Sequence, residues 1–269
     1  MTTIDVRSVT KEYTIRSGFR STTLRAVDDV SFTLEPGRTI ALVGQSGSGK
    51  STLAKLIMRL ERPTTGEIRV DDVAFRGRAG LDYRKHVQMV FQDPFASLNP
   101  FHTIAHHLDR PLALHFPTLT TAQRRRRVLD LLERVRLTPA ETFADRHPHE
   151  LSGGQRQRAA IARALAPRPG ILVADEPVSM LDVSIRLGVL NLLGRLQREE
   201  DLGVLYITHD LATARHFSDE IMVMYHGQVI ERGPADDVIL RPRQEYTRRL
   251  AAAAPNPERR LAELRGEPS

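Results

Sequence analysis

Gly44-Gln45-Ser46-Gly47-Ser48-Gly49-Lys50-Ser51-Thr52 separates an apolar run, Thr39-Ile40-Ala41-Leu42-Val43, from a pattern that puts Leu53, Leu56, Ile57 and Leu60 on one helix face. Strand, glycine-rich turn and helix in that order make a phosphate-binding loop. Glycines let successive N–H groups turn toward one anion. A helix begun near Lys50 adds unpaired amides and the positive end of its dipole. Lys50 can then reach the β- and γ-phosphates of a nucleoside triphosphate as a mobile point charge, and the Ser51 hydroxyl is placed for Mg²⁺. Gly44, Ser46, Gly47, Gly49, Lys50, Ser51 and Thr52 are the expected nucleotide contacts.

Outward from this loop the chain reads as α/β. On its N-terminal side, Ile4-Val6-Val9 and Val30-Phe32-Leu34 alternate like half-buried antiparallel strands. On its C-terminal side, alternating sequence through Ile68 and Val70 leads to a short strand, His86–Phe91, that ends at Gln92. Strand signals then vanish from about Ser97 to Glu150 and helical patterns take over, which predicts a helical insertion within the α/β unit. Alternation resumes with helix Gln155–Leu165, strand Ile171–Ala174, helix Ser184–Gln197, strand Gly203–Thr208 and helix Leu211–Phe217. Continuous apolar strands between helices predict a mostly parallel sheet covered on both faces. Strands Glu220–Tyr225 and Gln228–Glu231 follow, joined by His226-Gly227. One domain over residues 1–250, with the helices inserted at about 97–165, and a short proline- and charge-rich tail over 251–269 complete the expected organisation.

The 269 residues are 41% hydrophobic and 27% charged, with no cysteine, so disulfides, thiolate metal sites and cysteine nucleophiles are excluded. No run approaches the ~18 apolar residues of a membrane span. The start, Met1-Thr2-Thr3-Ile4-Asp5, has neither basic stretch nor apolar core and does not read as a signal peptide. Net charge is +6, yet lysine occurs only at Lys11, Lys50, Lys55 and Lys85. This uniform arginine skew reads as composition and not as a nucleic-acid patch. Arg124–Arg127 opens a helix with the apolar stripe Val128, Leu131, Leu132 and Val135, so the run is expected to be a solvated face. His102 and His106 stand at i,i+4 without a third ligand and do not read as a metal site.

Ligands of parallel sheets gather at the carboxyl ends of strands. Ile171–Ala174 ends in Asp175-Glu176: Asp175 is suited to hold Mg²⁺ and Glu176 to polarise water for attack on a γ-phosphate. Gln92 could order that water or complete the metal shell, and His209, after Tyr206–Thr208, could hydrogen-bond the γ-phosphate. Leu151-Ser152-Gly153-Gly154-Gln155 is a second anion-binding design, with Ser152 as N-cap and two glycines exposing amides. Two such designs beside one loop lysine fit two nucleotides shared between two chains.

These elements occur in the order found in ATP-binding cassette (ABC) ATPases, which the chain resembles from about residue 3 to 250. The resemblance implies a P-loop NTPase cassette with ATP and Mg²⁺ as ligands. It assigns Tyr13 to adenine, Ser51 and Asp175 to Mg²⁺, Gln92 to coupling with the membrane partner, Glu176 as general base, His209 as γ-phosphate sensor and Asp182 to a dimer interface. It places Ser152, Gly153, Gly154 and Gln155 over ATP bound by a second ATPase subunit. Phe91-Gln92-Asp93-Pro94-Phe95-Ala96-Ser97-Leu98-Asn99-Pro100, Leu181–Ile185 and Glu245–Ala252 resemble the oligopeptide/dipeptide/nickel importer branch. Arg59–Thr64 is similar to the second of its two ATPase subunits. That implies a pair of ATPase subunits, a heterodimer favoured over a homodimer, on the cytoplasmic face of the membrane, serving a permease and, indirectly, an extracytoplasmic binding protein, with no nucleic acid expected. The alternatives are a soluble cassette acting on nucleic acid and an accessory cassette of a phosphonate-breakdown complex. Gln45, Phe101 and Met180 depart from the branch, which usually has glutamate, arginine and alanine there.

Overall fold

The computed structural model describes residues 2–17, 20–74 and 80–253, with no side-chain placement for 17 and 20. Strands β1 (Ile4–Ser17) and β2 (Arg20–Leu34) pair antiparallel, Ile4 opposite Leu34 and Ser17 opposite Arg20. The buried strand β3 (Thr39–Val43) runs into the glycine loop and helix α1 (Lys50–Ile57). Strands β4 (Thr65–Val70) and β5 (Val73–Ala74) finish a four-stranded sheet of order β2-β1-β4-β5. Helix α2 (Leu81–His86) leads into β6 (Val87–Val90). There follow α3 (Pro94–Ser97), α4 (Ile104–His115), α5 (Thr121–Arg134), α6 (Ala140–Asp145), a 3-10 turn at Pro148–Glu150 and α7 (Gly153–Leu165). The remainder alternates as β7 (Ile171–Asp175), α8 (Val183–Glu200), β8 (Gly203–Thr208), α9 (Leu211–Phe217), β9 (Glu220–Tyr225) and β10 (Gln228–Pro234). It ends with α10 (Ala235–Leu240) and α11 (Glu245–Ala253). The proline-rich part of the expected tail lies outside the described residues.

The second sheet has the order β10-β9-β3-β8-β7-β6, parallel except for β10. Successive β3 residues face opposite sides, so one strand serves two cores. Ala41 and Val43 pack with the helical insertion, α8 and α9; Ile40 and Leu42 pack with α1 and the N-terminal strands. Burial on both faces is why these strands read as unbroken apolar runs. Among the described residues no helix is long and apolar enough to cross a membrane.

Three expectations are corrected. Leu60 does not continue the apolar face of α1, because the helix stops at Ile57 in a Schellman turn. Arg59, at φ 54°, takes the left-handed position, its N–H bonds Leu56 O, and the Leu60 N–H bonds Lys55 O at 2.9 Å. Leu60 is left 60% exposed. Helix α7 begins at Gly153, two residues before Gln155, because the Ser152 hydroxyl caps the Gln155 N–H and so draws both glycines into the first turn. The arginine run is more than a solvated face. Arg124 bonds Asp109 at 2.7 Å, Arg125 bonds Asp145 at 3.2 Å and the Arg127 guanidinium lies 4.8 Å from the Phe116 ring centre.

Candidate active site

Parallel pairing puts the ends of β3, β8 and β7 side by side, because β8 lies between the other two. The glycine loop, His209 and the Asp175-Glu176 pair therefore meet at one edge. The loop needs its glycines for shape. Gly49, at φ +113°, passes so close to β2 that a Cβ there would lie 2.2 Å from Ala26 O. Gly47, at φ +80°, faces open space instead. Gly44 and Ser48 are buried, while Gln45, Ser46 and Gly47 form the exposed rim. Lys50 is 6% exposed and folds back over the loop, donating to Gly44 O at 2.6 Å and Gln45 O at 2.9 Å. Burial pushes its ammonium below the ordinary lysine range, and Glu176 and Asp175 oppose that shift.

Asp175 is half-buried at the end of β7. Burial first and the Glu176 charge second raise its carboxyl above the ordinary 3.8, against Lys50 and Lys55. Glu176 is held from both sides: Gln92 Nε2 donates to its Oε2 at 3.1 Å, and His209 Nδ1 lies 3.1 Å from its Oε1. Its backbone sits in the left-handed region at φ 44°, fixed by its N–H to Ile207 O at 2.9 Å and by the Ser179 hydroxyl on its own carbonyl at 3.0 Å. A left-handed glutamate is strained, and such strain collects where a side chain must be aimed. Sequence reasoning placed Gln92, Asp175, Glu176 and His209 near one another, and the structure joins three of them by hydrogen-bond distances.

Tyr13 stands on β1 with its hydroxyl donating to Glu61 and lying beside Thr52, and Lys11 Nζ is 5.0 Å from its ring centre. Its position at the edge of the loop helix is compatible with the base of a nucleotide. Ser152, by contrast, has no hydrogen bond to the glycine loop, Asp175 or Glu176 among the described residues. Its helix α7 packs on α3, α4, α5, α8 and β6, whereas α1 packs on β2 and β7. Gln155 uses its side-chain oxygen to accept the Ser152 N–H at 3.0 Å, closing a capping box. The amides of Gly153 and Gly154 are the groups this loop has left to offer an anion. Asp182 starts α8 amid exposed Met180, Val183 and Leu187. His102 and His106 stack at 4.0 Å, and no group of three metal-ligating side chains exists among the described residues.

The residues fit a magnesium nucleotide. The open face at Gly47, the amides of the loop and a buried lysine suit a polyphosphate, and Ser51, Gln92 and Asp175 are hard oxygen donors of the kind Mg²⁺ takes. Sequence reasoning missed three neighbours: Glu61, Arg156, and Tyr246, whose hydroxyl accepts the Gln45 N–H at 3.0 Å. Tyr246 lies 201 residues from Gln45, and no local pattern could have announced it.

The ABC transporter family model, described as "ABC transporter", matches residues 27–179, more than half of the chain. The chain belongs to the ABC transporter family. A probable peptide ABC transporter ATP-binding protein of Sinorhizobium fredii is 44% identical over 97% of this chain and 75% of its own length. The oligopeptide transport ATP-binding protein OppF of Bacillus subtilis is 46% identical over 88% of this chain and 78% of its own. Among solved structures, the ATP-binding cassette MJ0796, a dimer bound to ADP and phosphate after hydrolysis, superposes with a TM-score of 0.75. It is 32% identical and spans 86% of this chain and 98% of its own. The cbiO1 subunit of a Clostridium perfringens ABC transporter complex gives 0.78 at 26% identity over 98% of each chain. The ABC chain described here is thus an ATP-binding ATPase built on the cassette fold.

Proposed function

We propose that this chain powers an importer of peptides or a similar small solute, as one of two cassettes beneath a membrane permease. The observation that carries the hydrolytic assignment is the two-sided hold on Glu176 by Gln92 and His209, next to Asp175 and the buried Lys50. In this reading Lys50 and the loop amides bind the β- and γ-phosphates, and Tyr13 borders the adenine. Ser51, Asp175 and the Gln92 oxygen hold Mg²⁺, which when bound shields the phosphate charge. Glu176 accepts a proton from the water that attacks the γ-phosphate. His209 keeps Glu176 aimed and meets the γ-phosphate. Among the described residues no hydrogen bond joins the Ser152–Gly154 turn to the same chain's glycine loop. The turn closes instead over ATP on a second cassette, and the likeness to peptide-importer subunits favours a different mate over a second copy.

The permease is received between the sheet and the helical insertion, where a groove of about 660 Å³ is lined by Leu60, Phe91, Gln92, Ala96 and Arg163 among others. This sets the chain on the cytoplasmic face as a peripheral subunit. Glu176→Gln is the test of the base. Nucleotide affinity stays within about twofold and turnover falls at least about 10²-fold, the scale of general-base catalysis. Turnover at the unmutated rate would remove Glu176 from that role. Crosslinks from the permease that form only outside the groove would refute the docking assignment.

A further inference from the structure

The glycine loop is touched by an element the hydrolytic assignment does not use, the last helix, α11. Glu231 of β10 fastens its start, the carboxylate accepting the Arg243 N–H at 2.7 Å and the Gln244 N–H at 3.0 Å. Thr247 is fully buried, and Tyr246, Leu250 and Ala251 pack against the core. So anchored, α11 sets the Tyr246 ring on that of Tyr225, centres 4.2 Å apart, and brings the Tyr246 hydroxyl to the Gln45 N–H at 3.0 Å. A phenylalanine would pack in the same place. The hydroxyl is spent on the loop.

The Gln45 N–H shares a peptide plane with the Gly44 carbonyl. This bond is trans, so its N–H and C=O point in opposite directions. Tyr246 stands at one end of the plane and Lys50 at the other, its Nζ donating to Gly44 O at 2.6 Å and to Gln45 O at 2.9 Å. Gly44 is pressed against β9, where a Cβ would come within 2.3 Å of Met224 O. Close contact thus holds the plane at Gly44, and a single hydroxyl holds it at Gln45. Gln45 is exposed, so without that hydroxyl its N–H turns to water at little cost to folding. The plane is then free to rotate, and rotation carries the Gly44 carbonyl off the buried ammonium of Lys50.

We propose that Tyr246 is a positioning residue of the nucleotide site. By accepting the Gln45 N–H it fixes the Gly44–Gln45 peptide, and with it the seat from which Lys50 reaches the β- and γ-phosphates. This rests on the reading that Lys50 and the loop amides bind those phosphates. A loop set in advance loses less freedom when ATP arrives, so the hydroxyl contributes affinity without touching the nucleotide.

The test is ATP titration and thermal unfolding of the full chain carrying Tyr246→Phe, with Tyr225→Phe as the control for a neighbouring hydroxyl. Tyr246→Phe is expected to weaken ATP binding by about 2- to 10-fold, the worth of one net hydrogen bond, and to leave Tm without nucleotide unchanged. Tyr225→Phe should alter neither. Gln45→Pro deletes the same N–H and should bring a similar loss, to which Tyr246→Phe adds nothing. ATP affinity of Tyr246→Phe equal to the unmutated chain's overturns the proposal, whatever the proline does. So does a fall in Tm, with or without weaker binding, because that marks a merely structural hydroxyl; losses that multiply in the pair also overturn it. Lys50→Ala tells the failures apart. If it weakens ATP binding while Tyr246→Phe does not, only the Tyr246 role is lost. If Lys50→Ala binds ATP as the unmutated chain does, the reading of the loop itself falls and takes this proposal with it.

Discussion

In the Mg²⁺-holding role proposed for it Asp175 carries a charge where burial disfavours one, and so works against the fold that holds it. Its raised pKa means the folded chain binds the proton more tightly than the unfolded chain. Stability contributed by the protonated form is therefore present below 3.8 and lost as pH rises through the folded value. Asp175→Asn removes that loss. Its Tm should exceed the unmutated chain's at pH 7. The gap should close toward pH 4, and turnover should disappear at every pH; a gap that is flat with pH would contradict the assigned cause. Gly49→Ala acts oppositely, because both the positive φ and the 2.2 Å approach to Ala26 O forbid the new methyl group. Denaturant unfolding should show a loss of at least about 1–3 kcal/mol, the cost of one strained residue, together with loss of nucleotide binding.

At the scale of elements, the first turn of α7 hangs on Ser152. Ser152→Ala should cost about 1 kcal/mol of stability, the usual worth of an N-cap, and lower turnover without altering ATP affinity of the isolated chain. Calorimetry and nucleotide titration check the two halves separately. Elements with strong periodicity, β3, β7, β8 and α9, were legible from the residues, because burial on one or both faces writes itself into the order of apolar residues. What was not legible was set by non-local or fine geometry. Leu60 carries the right residue type for the α1 stripe, but nothing in the spacing says that Arg59 will accept a left-handed backbone and stop the helix. Gly153 and Gly154 look like loop until the Ser152 cap is seen to claim them. That Gln92, Asp175, Glu176 and His209 lie near one another was legible because each follows an apolar strand. Glu61 and Tyr246 were not, because their partners, Tyr13 and Gln45, come from distant sequence.

For the whole molecule, the exposed apolar residues around Asp182 weigh most. Val183 is 79% exposed and Leu187 53% exposed, at the head of α8. In the two-cassette reading this patch is covered by the mate, so Val183→Arg should abolish ATP-driven pairing of the Glu176→Gln chain while leaving its single-chain affinity for ATP unaltered. Analytical sedimentation with and without ATP reads the first and fluorescence titration the second. Pairing that survives the arginine would move the interface elsewhere.

The order of strands also bears on how the chain comes into being. β3 emerges early from the ribosome, yet its two hydrogen-bonded neighbours, β8 and β9, span Gly203–Thr208 and Glu220–Tyr225. Until the chain has been made through Thr208, the strand that aims the glycine turn has no lateral support on either flank, and its second flank waits for Tyr225. A nascent chain therefore gains its grip on nucleotide late, and its early apolar segments spend most of synthesis in need of shelter.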